Sequence, residues 1–282
     1  MNGILLVKKE KNMTSFDVCK KVSHILKEKK IGHTGTLDPL ASGLLVLTLG
    51  KYTKISELIL CDDKEYIATA RLNILTNTLD LEGEIIKEDN KKISYIDLNN
   101  IINSYKGKYI QEVPLFSAVK VNGMKLYQYA RENIDVILPK REVNIKKIEL
   151  LDYKDDIFTI KCLVSKGCFI RSLIRDIGNS LNTYATMIDL KRTRLSKFDI
   201  EDAYSLEDIS NNKYKLLDID DVLDYKVINV DDKLYFKIKN GCSINNNYNI
   251  EDYVIFKYNN NVIAIYKNVN NILKSYKNFG GE

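Results

Sequence analysis

A glycine-rich segment near the N-terminus constrains the fold of this chain more than any other feature. It reads Gly32-His33-Thr34-Gly35-Thr36-Leu37-Asp38-Pro39-Leu40-Ala41-Ser42-Gly43-Leu44-Leu45. Glycine frees the backbone and lets another molecule approach closely, and a residue before proline favours an extended conformation. The segment therefore predicts a loop that presents the Asp38 carboxylate. The alternative interpretation, a helix start with Asp38 as N-cap and Pro39 as first residue, leaves the preceding Gly-His-Thr-Gly-Thr unexplained.

The size and charge of the chain are compatible with a globular protein that binds a polyanion. It has 282 residues, of which 45% are hydrophobic, and a net charge of +5. This length predicts a large core, with one main domain and a small one. Each basic cluster taken alone is also typical of a solvated surface. The clusters are Lys27 with Lys29 and Lys30, Lys140-Arg141, Lys146-Lys147, and Lys191-Arg192-Thr193-Arg194.

The cysteines and apolar runs indicate an intracellular setting. The five cysteines are Cys19, Cys61, Cys162, Cys168 and Cys242. An odd number without a C-x-x-C pair favours neither a disulfide framework nor a zinc site. The N-terminal apolar run is too short for a signal peptide, and no run approaches the length of a membrane span. We therefore expect a soluble protein of the reducing cytoplasm with no bound metal.

Hydrophobic periodicity predicts an alternation of strands and helices. The predicted strands are Gly3–Val7, Leu44–Leu49, Glu65–Leu72, Val143–Leu151, Ile157–Val164, Leu234–Ile238 and Tyr253–Tyr258. The predicted helices are one capped by Ser15 with Phe16, Cys19, Val22, Ile25 and Leu26 on its apolar face, and then Thr53–Leu60, Ser94–Tyr105 and Phe169–Leu181. Residues 111–131 fit a hairpin followed by an amphipathic helix. Asparagine runs at 245–247 and 259–261 indicate turns.

Several motifs together resemble the TruB family of tRNA pseudouridine synthases. The segment Gly32–Leu45 is similar to the catalytic motif of that family, and Lys64-Glu65-Tyr66 to its second motif. Ser165-Lys166-Gly167-Cys168-Phe169-Ile170-Arg171-Ser172-Leu173 looks like a third. Further resemblance lies in 72–83 and 111–120. The match is specific over residues 3–194 and weak thereafter.

The resemblance implies a set of site residues. In the family the aspartate of the first motif is essential, so Asp38 would be the catalytic carboxylate, acting as nucleophile or as base toward the sugar. Arg171 would hold Asp38 ionised and oriented, because a neighbouring cation favours the charged form of a carboxyl group. Tyr66 and Phe169 would sandwich the flipped uracil, although a tyrosine on an apolar strand face is more often a core residue.

Two further residues complete the implied site. Leu190 falls where the family places a leucine at the base pocket, and His33 would help occupy the space that the flipped base leaves in the RNA stack. The chemistry requires no cofactor and no metal. The sequence accordingly lacks a Walker loop, a zinc ligand set and a dinucleotide fingerprint.

The chain also departs from the family pattern at several positions. Glu10 replaces a proline, Asn73 a glycine, Asn77 an aspartate and Phe169 a tyrosine. These departures keep open a second hypothesis, a tRNA-folding chaperone with weak or lost catalysis. A third hypothesis is the catalytic subunit of guide-RNA-dependent pseudouridylation, which shares the aspartate motif but is disfavoured by the short tail.

The family implies an α+β fold, with a mixed and mostly antiparallel central sheet, flanking helices and a small β-rich C-terminal domain resembling a reduced PUA domain. We expect a catalytic domain at 1–217, with an RNA-gripping insertion at about 108–140, and an RNA-binding domain at 218–282. The expected activity is the isomerisation of uridine to pseudouridine at position 55 in the T-arm loop of tRNA. The expected partner is the tRNA T-arm stem-loop. We expect a monomer with no obligate protein partner and no membrane association.

Overall fold

The computed structural model of the chain describes residues 1–59 and 63–280. Its strands are β1 (Gly3–Lys9), β2 (Ile31–Thr34), β3 (Ser42–Leu49), β4 (Lys64–Leu72), β5 (Ile74–Thr76), β6 (Ile85–Glu88), β7 (Gly107–Glu112), β8 (Lys120–Val121), β9 (Met124–Lys125), β10 (Lys140–Lys154), β11 (Ile157–Val164), β12 (Ala185–Leu195), β13 (Phe198–Asp199), β14 (Lys226–Asn229), β15 (Ile244–Asn245), β16 (Tyr253–Tyr258), β17 (Asn261–Val269) and β18 (Ile272–Asn278). Its α-helices are α1 (Ser15–Leu26), α2 (Ser56–Ile59), α3 (Tyr95–Ser104), α4 (Leu126–Arg131), α5 (Ile170–Ser180), α6 (Leu206–Ser210), α7 (Ile219–Val222) and α8 (Asp232–Lys239). Short 3₁₀ helices cover Gly50–Ile55 and Ile200–Asp202.

The central sheet has the order β1-β3-β12-β4-β11-β10-β7, with β2 added on β3 and β13 on β12. Within the described residues, β3 and β12 run parallel and the other pairs of this sheet run antiparallel. The prediction of a mixed, mostly antiparallel sheet with flanking helices is confirmed. Because β3 and β12 are neighbours, the segment that follows Asp38 lies beside the strand that carries Leu190.

The face of the sheet under α5 forms the core next to the site. Alternate residues of β4, Ala68, Ala70 and Leu72, are fully buried, as the period of two predicts. Leu173 and Ile177 of α5 are also fully buried, which agrees with the hydrophobic periodicity that predicted this helix. The core therefore fixes α5, whose first turn reaches the cavity described below, against β4 and β12.

The N-cap of the first helix lies one residue earlier than the sequence predicted. Thr14, not Ser15, is the N-cap: its hydroxyl accepts from the Asp17 amide, and the Asp17 carboxylate accepts from the Thr14 amide. Such a reciprocal pair satisfies two amides that a helix start leaves unpaired. Phe16 was also wrongly placed on the apolar face, since its side chain is 60% exposed, whereas Cys19 and Val22 are buried as predicted.

The prediction of a strand at Leu234–Ile238 is wrong, because these residues lie in α8. The alternation Leu-Tyr-Phe-Lys-Ile fits both periods, and the preceding residue decides between them. The Asp231 carboxylate accepts from the Leu234 amide at 2.8 Å and caps the helix. The helix buries Ile238 completely and leaves Phe236 62% exposed, whereas a strand would place both on one face.

Other predicted elements hold with small shifts. The helix predicted at Ser94–Tyr105 is α3, with Ser94 as its N-cap, and β7 begins at Gly107. The helix predicted from Thr53 is a 3₁₀ segment followed by α2, and Leu60 and Cys61 lie outside the described residues. The hairpin of β8 and β9 precedes α4, as the pattern at 111–131 predicted.

A second sheet, with the order β14-β16-β17-β18-β15, occupies the C-terminal part of the chain. This confirms the predicted β-rich C-terminal unit. Asn259 and Asn260 make its β16–β17 turn with positive φ angles of 48° and 63°, which asparagine tolerates better than most residues. The unit packs on the first 3₁₀ segment, where Lys54 Nζ donates to the Asn278 carbonyl at 2.6 Å. The domain boundary at 217/218 stays a prediction.

Candidate active site

Asp38 lies in a turn, and no helix begins there. Its carbonyl accepts from the Ala41 amide at 3.0 Å, and the chain passes from this turn directly into β3. The helix-start interpretation of Asp38-Pro39 is therefore wrong. The Asp38 side chain is 37% exposed, so its carboxylate is accessible from the surface.

Three side chains from other elements hold the segment around Asp38. The Ser15 hydroxyl exchanges hydrogen bonds with the backbone of Leu37, accepting from its amide at 2.9 Å and donating to its carbonyl at 3.2 Å. Lys9 Nζ donates to the Ala41 carbonyl at 2.6 Å, and Arg192 Nη2 donates to the Gly35 carbonyl at 3.0 Å. The loop is thus anchored on both sides of the carboxylate.

Gly43 allows this loop to join the sheet. Its φ is 113°, and a Cβ at this position would lie 2.2 Å from the carbonyl oxygen of Arg192. Only glycine combines that backbone angle with so close an approach. The third glycine of the motif is therefore explained by the β3–β12 contact.

Lys9 is a buried cation beside this loop. Its residue exposure is 2%, and Nζ also donates to the carbonyls of Glu10 and Pro39. Burial, partly opposed by the nearby Asp38 charge, lowers the pKa of Lys9 from 10.5 to about 8. Lys9 therefore serves as a structural cation that organises the backbone carbonyls next to Asp38.

This shifted pKa predicts a pH-dependent stability. Between about pH 8 and pH 10.5 the folded chain loses the Lys9 proton while the unfolded chain keeps it. The unfolded state then binds more protons, so the free energy of unfolding should rise with pH across this window. We expect the stability of wild type relative to Lys9→Met to increase between about pH 7.5 and about pH 9.5, measured by urea denaturation.

The control for this measurement is Lys8→Met, since Lys8 lies on the other face of β1. It should show no such increase. A difference between wild type and Lys9→Met that stays constant or falls with pH would contradict the burial of a charged Lys9.

Arg171, in the first turn of α5, joins the two sides of the site. Its Nε lies 3.0 Å from Asp38 Oδ2, so the pairing that the family resemblance implied is present in the geometry. Its other nitrogens donate to the carbonyls of Thr78 at 2.9 Å and Phe116 at 3.0 Å. The residue is 6% exposed, which fixes the guanidinium and leaves it little freedom to turn away from Asp38.

Asp80, in the segment 72–83, provides a second carboxylate to this guanidinium. Its Oδ2 lies 3.4 Å from Arg171 Nη1, and its side chain is 3% exposed. Oδ1 accepts from the Thr78 hydroxyl at 2.6 Å and from the Glu82 amide at 3.1 Å. Arg171 thus bridges an exposed carboxylate, Asp38, and a buried one.

A cavity of about 400 Å³ opens in front of Asp38. It is lined by Asp38, Tyr66, Phe169, Arg171 and Leu190, and also by residues of the 117–119 and 166–168 loops. Five of the six predicted site residues therefore meet in one cavity. Tyr66 is 7% exposed, so it is both a core residue and part of the wall, and burial raises the pKa of its phenol.

His33 is the predicted site residue that does not line this cavity. It lies on β2, opposite Leu47 in the ladder with β3, and is half-buried. Burial, followed by the charge of Arg192, lowers the pKa of His33. The imidazole therefore lies outside the cavity lining, on β2, the strand that leads into the Asp38 loop.

Two side chains, those of Gln111 and Arg141, contact Phe169. Gln111 accepts from the Phe169 amide at 2.8 Å and donates to its carbonyl at 3.1 Å, and the Arg141 guanidinium lies 5.2 Å from the ring centroid. This geometry is that of a cation–π contact. Beside it, burial raises the pKa of the Cys168 thiol to about 12, so this cysteine is not a reactive thiolate.

Asn73 and Asn77, two of the positions at which the chain departs from the family pattern, lie in the connections that flank β5. Asn73 has a φ angle of 67°, and asparagine is among the residues that best tolerate such an angle. Asn73 also exchanges hydrogen bonds with neighbours, donating to the Lys91 carbonyl and accepting from Thr183. Asn77 is exposed and its amide oxygen accepts from the Glu84 amide, so it belongs to a turn and does not line the cavity.

Comparison with known sequences places the chain in a family. A sequence model described as TruB family pseudouridylate synthase (N terminal domain) matches residues 23–170, and one described as tRNA pseudouridylate synthase B C-terminal domain matches 171–234. The chain is 45% identical to the tRNA pseudouridine synthase B of Fusobacterium nucleatum over 201 residues, 71% of this chain and 70% of that protein. It is 46% identical to the protein of the same name from Clostridium tetani over 211 residues, 74% and 73% of the two chains.

Solved structures agree with the fold. An H/ACA RNP bound to a substrate RNA containing 2′-deoxyuridine matches with a TM-score of 0.73 at 20% identity, covering 98% of this chain and 84% of that chain. An archaeal box H/ACA sRNP Nop10-Cbf5 complex matches with a TM-score of 0.72 at 20% identity, with coverage of 98% and 85%. This likeness concerns the fold alone. Together with the sequence matches and the arrangement around Asp38, it leads to one conclusion: the chain belongs to the TruB family of pseudouridylate synthases.

Proposed function

We propose that this protein isomerises uridine to pseudouridine at position 55, in the T-arm loop of tRNA. The observation that carries the proposal is the Asp38 carboxylate, held 3.0 Å from Arg171 Nε at the mouth of a cavity of about 400 Å³. That volume falls in the range of small-molecule sites and suits a single flipped nucleotide. The relatives at 45–46% identity carry the name tRNA pseudouridine synthase B.

The reaction breaks the bond between the sugar C1′ and uracil N1, turns the base and rejoins it through C5. Asp38 acts on the sugar, as nucleophile at C1′ or as base at C2′. Arg171 is a positioning residue: it fixes the direction of the Asp38 carboxylate, while Asp80 fixes Arg171 from the other side. Prior orientation of this kind lowers the barrier because little order must be gained during the reaction.

The remaining residues of the site hold the base. Tyr66 and Phe169 offer aromatic surfaces for the extruded uracil, and Leu190 an apolar contact. His33, on the strand that leads into the Asp38 loop, is proposed to occupy the space that the base vacates in the RNA. These contacts exclude water from the reacting atoms, so that the cleaved base rejoins the sugar before hydrolysis occurs.

The proposed partner is the T-arm stem-loop of tRNA, and the proposed location is the cytoplasm. We propose that the enzyme is a monomer that needs no protein partner. Phosphate contacts from basic surface residues would supply most of the affinity. Among the described residues, no helix is long and apolar enough to cross a membrane. We further propose the division into a catalytic domain at 1–217, with the insertion at about 108–140, and an RNA-binding domain at 218–282.

The test of this function is tritium release from a T-arm hairpin that carries 5-tritiated uridine, with the protein alone. We expect stoichiometric release from the hairpin, much slower release from a linear oligonucleotide of the same sequence, and binding that weakens steeply with added salt. Release only after addition of a guide RNA would favour the guide-dependent hypothesis. Binding without release would favour the chaperone.

Phe169 gives a sharper prediction within the pocket. Because stacking uses the ring face, which Phe and Tyr share, and is worth about 1–3 kcal/mol, Phe169→Ala should lower kcat/KM roughly tenfold to a hundredfold. Phe169→Tyr should change kcat/KM by less than about threefold. Single-turnover kinetics on the T-arm hairpin measure both, and Phe16→Ala, which removes an exposed ring outside the cavity, is the matched control.

Two outcomes would contradict this account of the pocket. A silent Phe169→Ala would mean that the ring does not contact the base. A single-turnover rate that is about tenfold higher in Phe169→Tyr than in wild type would identify the chain as an impaired member of the family. This result would favour the chaperone hypothesis.

A further inference from the structure

Arg192, on β12, is a buried charge that has no counter-ion in the described part of the chain. Its residue exposure is 0%, and among the residues that the structure describes its guanidinium forms no ion pair. Nε donates to the Leu44 carbonyl at 2.8 Å and Nη2 to the Gly35 carbonyl at 3.0 Å. Nη1 is buried and, within the same residues, has no hydrogen-bond partner. Arg171, by contrast, is paired with two carboxylates.

The position of this charge is as unusual as the absence of a counter-ion among the described residues. Arg192 faces Tyr66 directly across the β12–β4 ladder, and both residues line the cavity in front of Asp38. The backbone carbonyls that accept from Arg192 belong to the loop and strand on either side of Asp38. The guanidinium is therefore fixed in the wall of the cavity and cannot swing out to solvent.

A buried charge without a counter-ion is costly to fold. A neutral residue could donate hydrogen bonds to the same two carbonyls at a lower desolvation cost. A positive charge that is retained at such a position is explained if negative charge appears nearby during the reaction, because fixed charges in a dry site act strongly on charge that develops there.

The proposed reaction generates such a charge. When the C1′–N1 bond breaks, its electron pair goes to uracil N1, and the base becomes an anion with the charge shared among N1 and the two carbonyl oxygens. This holds whether Asp38 attacks C1′ or removes the C2′ proton. The anion is consumed when C5 bonds to C1′, while the Asp38–C1′ ester bond breaks or, in the base pathway, protonated Asp38 returns its proton to C2′. C5 then loses its proton and N1 gains one, so that no external oxidant or reductant is needed.

We infer that Arg192 stabilises the uracil anion formed on cleavage of the glycosidic bond, acting from the cavity wall next to Tyr66. The inference rests on the proposed function. It assigns to Arg192 an electrostatic role distinct from that of Arg171, which orients Asp38.

The test compares two substrates that differ in the stability of the departing anion. T-arm hairpins carry uridine or 5-fluorouridine at the target position, and single-turnover loss of the target N-nucleoside is measured. Fluorine withdraws electrons and stabilises the anion, so the fluorinated base depends less on the enzyme. We expect Arg192→Met to slow uridine cleavage about a hundredfold. It should slow 5-fluorouridine cleavage by about tenfold or less.

Two variants separate charge from structure. Arg192→Lys keeps the charge and should recover about tenfold of the uridine rate lost in Arg192→Met, while RNA affinity stays within about threefold of wild type in both. Arg71→Met removes an exposed arginine of the neighbouring strand β4 and should leave both rates unchanged. If Arg192→Met does not fold by circular dichroism, the same substrate ratio is read from Arg192→Lys and Arg192→Gln.

Equal losses on both substrates would overturn the inference and reduce Arg192 to an anchor of the Asp38 loop. A rate within threefold of wild type in Arg192→Met would overturn it as well. Failure of wild type to convert the uridine hairpin would instead refute the proposed function.

Discussion

Asp38→Asn is expected to lower turnover at least about 10⁴-fold while tRNA affinity stays within about threefold of wild type. The amide has nearly the shape of the carboxylate but neither attacks the sugar nor accepts its proton. Affinity should persist because phosphate contacts are spread over the surface. The Asp38 side chain is 37% exposed, and Arg171 retains Asp80, so the fold should be preserved.

The measurement is single-turnover pseudouridine formation on the T-arm hairpin, with filter binding for the affinity. Asp252→Asn is the matched control, since Asp252 is an exposed carboxylate of the C-terminal sheet region whose partner Lys267 lies 3.9 Å away. It should behave like wild type. Turnover by Asp38→Asn above about one hundredth of the wild-type rate would remove Asp38 from its proposed role.

Arg171→Met should lower both activity and stability. Removing the guanidinium leaves Asp80, whose side chain is 3% exposed, as a buried carboxylate without a counter-ion, which typically costs about 3–5 kcal/mol of stability. It also frees Asp38 from its fixed direction, and we expect a rate loss of about 10³-fold. Urea denaturation and single-turnover kinetics measure the two effects separately.

A second substitution distinguishes the structural loss from the catalytic one. In the double variant Arg171→Met, Asp80→Asn, the buried charge is gone, so part of the stability should return while the rate stays low. Arg175→Met is the control on the next turn of α5: its guanidinium pairs with Glu112 and Asp176 outside the cavity, and its rate should stay close to wild type. Recovery of rate together with stability in the double variant would make Arg171 a purely structural residue.

The elements that could be predicted from the sequence are those that local patterns determine. The alternation in Glu65–Leu72 follows from the period of a strand, and the apolar stripe of α5 from the period of a helix. Where a pattern fits both periods, as in Leu234–Ile238, the deciding interaction was a cap at Asp231. The sequence contained that aspartate. Whether its helix-capping signal outweighs the strand-like alternation could not be judged without knowing which side chains are buried.

The site divides in the same way. The motif around Asp38 was enough to identify this residue as the candidate catalytic carboxylate. The family resemblance indicated that Asp38 pairs with Arg171. The anchoring of the loop by Ser15 and Lys9 was not predicted, because it depends on where α1 and β1 lie against the turn.

What only the tertiary structure decided is the balance of charge in the cavity. Residues distant in sequence meet there through the register of β12 on β4 and the packing of α5. Neither can be inferred from local hydrophobic periodicity. That geometry gives Arg171 a second carboxylate in Asp80 and leaves Arg192 with none among residues 1–59 and 63–280. Side-chain electrostatics depend on distances of a few ångströms and on burial, so the sequence determined which charged residues are present, and the fold decided which of them are paired.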